Sequence, residues 1–185
     1  MPNKPSAADA LTFNVAGLLA EPAGSIREID VLAPPMELEW ELVQTSPVRG
    51  SLKLTRTNRG LLVQARLSTS IGQSCARCLR DIDYPVDVEL DEEALPTIDL
   101  MSGLPLDTSA EPDVLRLNDH HELELEGEVR DAIALAEPIA PLCRPDCPGL
   151  CTVCGGELAS GPHDHPEEDI DPRLEGLKRL RPPDA

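Results

Sequence analysis

Six cysteines carry the chemistry this sequence can do. Four fall within twelve residues, in "LCRPDCPGLCTVCGG" at 142–156: Cys143, Cys147, Cys151 and Cys154, spaced C-x3-C-x3-C-x2-C. Two more, Cys75 and Cys78, lie far upstream in "SCARCLRD". A C-x2-C knuckle points two sulfurs at one ion, and a structural zinc takes four such ligands in a tetrahedron. After the knuckle of Cys151 and Cys154, Gly155 and Gly156 permit a positive φ and a close backbone approach to sulfur. His163 and His165 offer two nitrogens more. Six cysteines and two histidines make eight ligands, which is two closed tetrahedra.

The preferred pairing sets Cys75 and Cys78 with Cys143 and Cys147, and leaves Cys151 and Cys154 to take His163 and His165 or to remain partly open. A single ion held by Cys75, Cys78, Cys151 and Cys154, or one held by all four late cysteines, fits the spacing as well. The cofactor expected is structural zinc, one ion or two. Arg77, Arg80 and Arg144 stand beside the thiolates and can offset their negative charge.

Competing chemistries fit less well. A redox C-x-x-C needs a helix N-terminus behind it to lower the thiol pKa, and a strand follows "CARC". The spacing does not match ferredoxin runs. His120, His121 and Glu122 ahead of Cys151 and Cys154 match H-x-E…C-x-x-C formally, but Leu150 stands where the zinc deaminases have proline. No H-E-x-x-H, Gly-rich phosphate loop or G-x-S-x-G is present, so no catalytic residues are assigned and the protein is expected not to be an enzyme.

The elements that would hold these ligands are legible from periodicity. The stretch 36–95 runs largely at period two, with Asn58, Arg59 and Gly60 as a hairpin turn. Leu61, Val63, Ala65 and Leu67 point to one face, and Lys53 and Arg66 share the other. Ile82, Tyr84, Val86, Val88 and Leu90 alternate with acids in the next strand, and Pro85 places that strand near an edge or a bulge. The first cysteine pair therefore sits at a hairpin turn. A helix is expected from Asp119, capped by that residue with Glu122 three positions on, with Leu125, Val129, Ala132, Ile133 and Ala136 as its apolar stripe. Asp171 and Pro172 open a short C-terminal helix.

The fold class expected is α+β: an antiparallel β-sheet domain with one long helix, a Cys-rich zinc-knuckle segment and a short C-terminal helix. Its parts are a mainly β domain with the first CxxC at 1–95, an acidic loop at 96–118, the helix plus zinc segment at 119–156, and a flexible acidic linker with the short helix at 157–185.

Composition narrows the partners. Of 185 residues only 2% are aromatic (Phe13, Trp40 and Tyr84), so the core is aliphatic and little can stack bases. The net charge is −18, yet residues 42–80 hold no acid, and they carry Lys53, Arg56 and Arg66 among seven basic residues. That stretch could contact RNA, while the acidic remainder could hold a basic protein. The N-terminal "ALTFNVAGLLA" is read as a strand or partner-facing segment, no run of 18 apolar residues occurs, and clustered thiols suit a reducing cytoplasm. Neither a membrane nor a small-molecule substrate is expected as a partner.

"CARCL", "PLCRPDCPGLCTVCGG" and "DPRLEGLKRL", in this order, resemble the YceD family, bacterial and plastid proteins linked to accumulation of large-subunit ribosomal RNA. The resemblance covers residues 20–182. It implies a non-enzymatic factor in large ribosomal subunit biogenesis that binds zinc and meets a ribosomal precursor or a basic ribosomal protein. It also implies that Cys75 and Cys78 are the family's signature pair. Two departures stand out: Glu157, Leu158 and Ala159 replace the family's Asn-Leu-Asn, and His163 and His165 stand where further cysteines can occur. The alternative is a zinc-stabilised interaction adaptor outside the ribosome, in transcription or metal handling.

Overall fold

Alternation of aliphatic and polar residues decides the sheet, because it lets each strand bury one face and wet the other. A computed structural model describes residues 6–38, 42–107, 111, 114–161, 164–165, 173 and 176–177. Its elements are α1 (Ala7–Ala10), β1 (Thr12–Asn14), α2 (Ala16–Leu19), β2 (Ile26–Ala33), β3 (Val43–Gln44), β4 (Val48–Arg56), β5 (Leu61–Ser74), β6 (Asp81–Leu95), β7 (Leu115–Arg116), β8 (Glu122–Glu124) and α3 (Glu126–Leu135). The main sheet has the order β2-β4-β5-β6-β7, with β3 beside the far end of β5. All its pairings are antiparallel except β6 with β7. The fold is α+β, as expected.

The turn at residues 57–60 closes β4 onto β5 with Arg56 opposite Leu61, so the Asn58–Gly60 hairpin is where the sequence puts it. The Thr57 hydroxyl accepts from the N–H groups of Arg59 and Gly60. Leu52, Leu54, Leu61, Val63, Ala65, Leu67, Ile71, Val86 and Val88 form the dry face. Over it lie Leu11, Val15 and Leu18 from the N-terminal segment, Leu123 of β8, and Val129 and Ile133 of α3, in one aliphatic cluster. Each fully buried leucine contributes roughly 1.5–3 kcal/mol. Pro85 lies opposite Ser70 on the stretch of β6 that has no second strand partner among the described residues, so its missing N–H interrupts no ladder on that side.

The helix begins later than expected. Asp119 does not cap it. The Asn118 side chain accepts from the N–H groups of His120 and Glu122 and donates to the Glu122 and Glu124 carboxylates, and His121 turns at φ 56. This turn releases Glu122–Glu124 as β8, antiparallel to β1, with Phe13 opposite Leu123. Leu123 is thereby buried as a strand residue, and α3 starts at Glu126 with Leu125 at its N-cap. The expected apolar stripe survives: Leu125, Val129 and Ile133 are buried, and Ala132 and Ala136 pack against them. The C-terminal helix expected from Asp171 lies largely outside the described residues.

Candidate metal centre

Strands β5 and β6 are joined by residues 75–80, so the longest hairpin of the sheet ends in the first C-x2-C pair. The Cys75 N–H donates to the Arg80 carbonyl, and the Leu79 N–H donates back to the Cys75 carbonyl. Closing this turn puts Leu79 at φ 58, left-handed backbone that costs a non-glycine residue of this kind about 1–2 kcal/mol.

The chain returns to this turn after α3. Ala76 N–H donates to the Pro141 carbonyl, and the Arg77 guanidinium donates to the Cys147 carbonyl. Gly149 lies at φ 83, and a Cβ there would sit 3.2 Å from the Arg77 carbonyl oxygen, so only glycine fits both the conformation and the approach without adjustment. These contacts bring the sulfurs of Cys75, Cys78, Cys143 and Cys147 within 4.8 Å of one another. Cys75 and Cys147 are buried, while Cys78 and Cys143 are half-buried. The Cys75–Cys147 and Cys78–Cys143 sulfur separations are 3.8 and 3.7 Å. Bonded sulfurs would be about 2.05 Å apart. Four sulfurs each about 2.3 Å from a tetrahedral ion would be about 3.8 Å apart, so the donor set fits such an ion in both kind and spacing.

Four thiols this close titrate unequally. The backbone N–H of Cys143, and then that of Cys78, holds the Cys75 thiol down at about 6. The neighbouring Cys147 thiol and burial push Cys143 up to about 12. One thiolate is accommodated and the next is resisted, which is the frustration that a divalent cation removes.

A second group lies beyond it. Cys151 N–H donates to the Gly156 carbonyl and Gly155 N–H donates to the Cys151 carbonyl, the hydrogen-bond pattern of the first turn repeated residue for residue. Here the left-handed position is Gly155, at φ 71. The N–H groups of Val153 and Gly156 approach the sulfurs of Cys151 and Cys154 at 3.4 Å. His165 Nε2 stands 3.2 Å from the Cys151 sulfur, and Cys151, Cys154 and His165 form a second three-donor cluster. Cys154 is exposed. His163 lies outside the described residues. Arg80 ties the two groups together: its guanidinium pairs with Glu157 at 3.0 Å, and that carboxylate, with Cys78 and Cys143 behind it, holds its pKa above the ordinary value.

Of the three pairings the spacing allows, the structure assembles the one that joins Cys75 and Cys78 to Cys143 and Cys147. The basic stretch fares differently. Lys53 and Arg66 do share the wet face, but register sets Lys53 beside Glu28 and Arg66 beside Glu89, with an Arg66–Glu89 separation of 3.5 Å. Arg56 is turned inward, donating to the carbonyls of Leu19, Thr57 and Gly60. The acid-free stretch is therefore not a cationic face, because its cross-strand neighbours in β2 and β6 supply the acids. Sequence reasoning missed Gly149 and Glu157; a glycine midway between two cysteine pairs was the available signal for the first.

The profile of the family described as "Large ribosomal RNA subunit accumulation protein YceD" matches residues 63–181. An uncharacterized protein of Mycobacterium tuberculosis and one of Mycobacterium bovis are each 33% identical over 182 residues, covering 96% of this chain and 84% of the relative. One of Mycobacterium leprae is 31% identical over 149 residues, 80% of this chain and 64% of the relative. No solved structure matches.

Proposed function

The chain belongs to the YceD family, and on that premise we propose that it is a non-enzymatic zinc protein of the cytoplasm that supports large-subunit ribosomal RNA accumulation by holding a basic ribosomal protein or a ribosomal precursor. The family description carries the ribosomal part. The zinc part rests on one observation, the 3.7 and 3.8 Å sulfur separations that equal the edges of a tetrathiolate tetrahedron. Bound there, zinc would neutralise thiolate charge and cross-link the β5–β6 turn to the segment after α3. Four sulfurs close its coordination shell, which suits a structural ion better than a catalytic one.

A protein rather than RNA is favoured as the direct contact. The chain carries −18, Lys53 and Arg66 sit beside Glu28 and Glu89, and Arg56 is spent on carbonyls. No described helix is long and apolar enough to cross a membrane.

Two measurements test the reading. Elemental analysis of the purified protein should find zinc, and the content should fall by one ion when Cys151→Ser is combined with Cys154→Ser; protein without metal defeats the zinc part. Sucrose-gradient fractionation at low salt should place the protein with large-subunit precursors, and its absence from them defeats the ribosomal part.

A further inference from the structure

The wet face of the main sheet divides into two halves. Over β4 a basic side chain stands among the acids of each register row, with Glu28, Lys53, Gln64 and Asp91 in one and Asp30, Ser51, Arg66 and Glu89 in the next. Towards the knuckle, beyond the row of Arg49, Ser68 and Asp87, β4 ends, and β5 offers only Ser70, Gly72 and Ser74 opposite Pro85, Asp83 and Asp81. Asp81 accepts from the Ser74 hydroxyl at 3.2 Å, and no described group pairs with Asp83.

A groove of about 720 Å³ opens at this end. Gly72 lies between Val43 and Thr45 on one side and Asp81 and Asp83 on the other, and Ile139 also lines the groove. Val43 and Ile139 are large aliphatic side chains left exposed, at 62% and 104%. Among the described residues no lysine or arginine lines the groove. Aliphatic walls beside two carboxylates match a side chain with an apolar stem and a cationic head, which is lysine or arginine.

We infer that this groove seats a lysine- or arginine-bearing extended segment of a partner protein, with the stem across Gly72 and the cation at Asp83 and Asp81. A second copy of this chain would be a poor occupant, because β6 alone brings seven acids and no base. The inference rests on the reading that the protein acts by holding a basic partner.

The probe is a fluorescein-labelled peptide of alternating lysine and valine, followed by fluorescence anisotropy, with a glutamate–valine peptide as control. Gly72→Leu fills the groove at no change in charge. A Cβ at that position meets Thr45 Cγ2 at 3.5 Å, an ordinary contact, so the strand tolerates it. Gly72→Leu and Asp83→Asn should each weaken binding by about tenfold or more. Asp91→Asn, on the half of the same face that holds Lys53 and Arg66, should leave it within about twofold. Circular dichroism and metal content should not change. The inference is overturned if the wild type ignores the lysine–valine peptide, if Gly72→Leu binds it like wild type, if Asp91→Asn weakens it as much as Asp83→Asn does, or if single-stranded RNA displaces it from the groove. If wild type does not sediment with large-subunit precursors yet the peptide results hold, the ribosomal reading fails and the groove stands. If sedimentation holds while Gly72→Leu changes nothing, the groove alone fails.

Discussion

The turns at 75–80 and 151–156 use the same two backbone hydrogen bonds around the same C-x2-C spacing, and both place the residue after the second cysteine in left-handed backbone. Their surroundings are opposite. The first turn ends a hairpin of the main sheet, keeps Cys75 fully buried, and meets sulfurs 65 and 72 residues away. The second leaves Cys154 exposed and meets His165, only 14 residues from Cys151. A knuckle's shape is thus local, while the stability an ion can add through it depends on how much chain the ligands join.

The largest test of that contrast compares two double variants. Cys75→Ser with Cys147→Ser should abolish the cooperative thermal transition in far-UV circular dichroism, because a structural zinc site supplies roughly 10–16 kcal/mol, as much as the roughly 5–15 kcal/mol total stability of a domain. Cys151→Ser with Cys154→Ser should move the midpoint only a few degrees. Equal losses would break the comparison.

Acidity should separate the states of the first group. Cys75, held at about 6 against an ordinary 9.0, contributes stability to the metal-free fold that is complete above 9.0 and lost as pH falls through about 6. Cys143, pushed to about 12, contributes stability that is complete below 9.0 and lost as pH rises through about 12. As far as these two thiols are concerned, the chelator-treated protein should melt highest near pH 9. A midpoint that keeps rising as pH falls below 6 would contradict the thiol environment described.

Smaller effects sharpen the contact between the turns. Gly149→Ala meets both a left-handed φ and the Arg77 carbonyl, and should cost about 1–2 kcal/mol in denaturant unfolding. Removing the exposed Arg80–Glu157 pair by Arg80→Ala should cost at most about 1 kcal/mol and less in high salt. Leu79→Gly gives the first turn the residue type of the second. It relieves left-handed strain of about 1–2 kcal/mol and adds about 0.5–1 kcal/mol of unfolded-chain entropy, so a gain of about 0.5 kcal/mol is expected. A loss at Leu79→Gly would show that the exposed leucine side chain has a role the turn does not reveal.

The contrast also marks what the sequence could disclose. Both knuckles, the hairpin at Asn58–Gly60 and the buried faces of β4, β5 and β6 follow from spacing and period two, which are local signals. The start of α3 is not legible because Asp119 and Glu122 imitate a capping box, while the Asn118 side chain takes the Glu122 N–H that such a cap would use. Nothing near Leu123 announces that Phe13 lies opposite it as a strand partner 110 residues earlier. Lys53 and Arg66 looked like a cationic face because charge was read along the chain, whereas register supplies Glu28 and Glu89 from neighbouring strands. Arg56 pointed the same way until its carbonyl partners came from Leu19, 37 residues away, as well as from its own turn.

The long reach of the first sulfur group also sets an order of events. In the unfolded chain, Cys143 is four residues from Cys147 but 65 from Cys78. That difference is about four doublings of loop length, worth about 2.4 kcal/mol of closure entropy in favour of the local set. An ion that meets the chain before the β5–β6 hairpin has formed is therefore offered the wrong four cysteines first, and must be handed over once the sheet is built. Metal delivered after folding avoids the detour, so refolding yield should depend on when zinc is added as well as on how much.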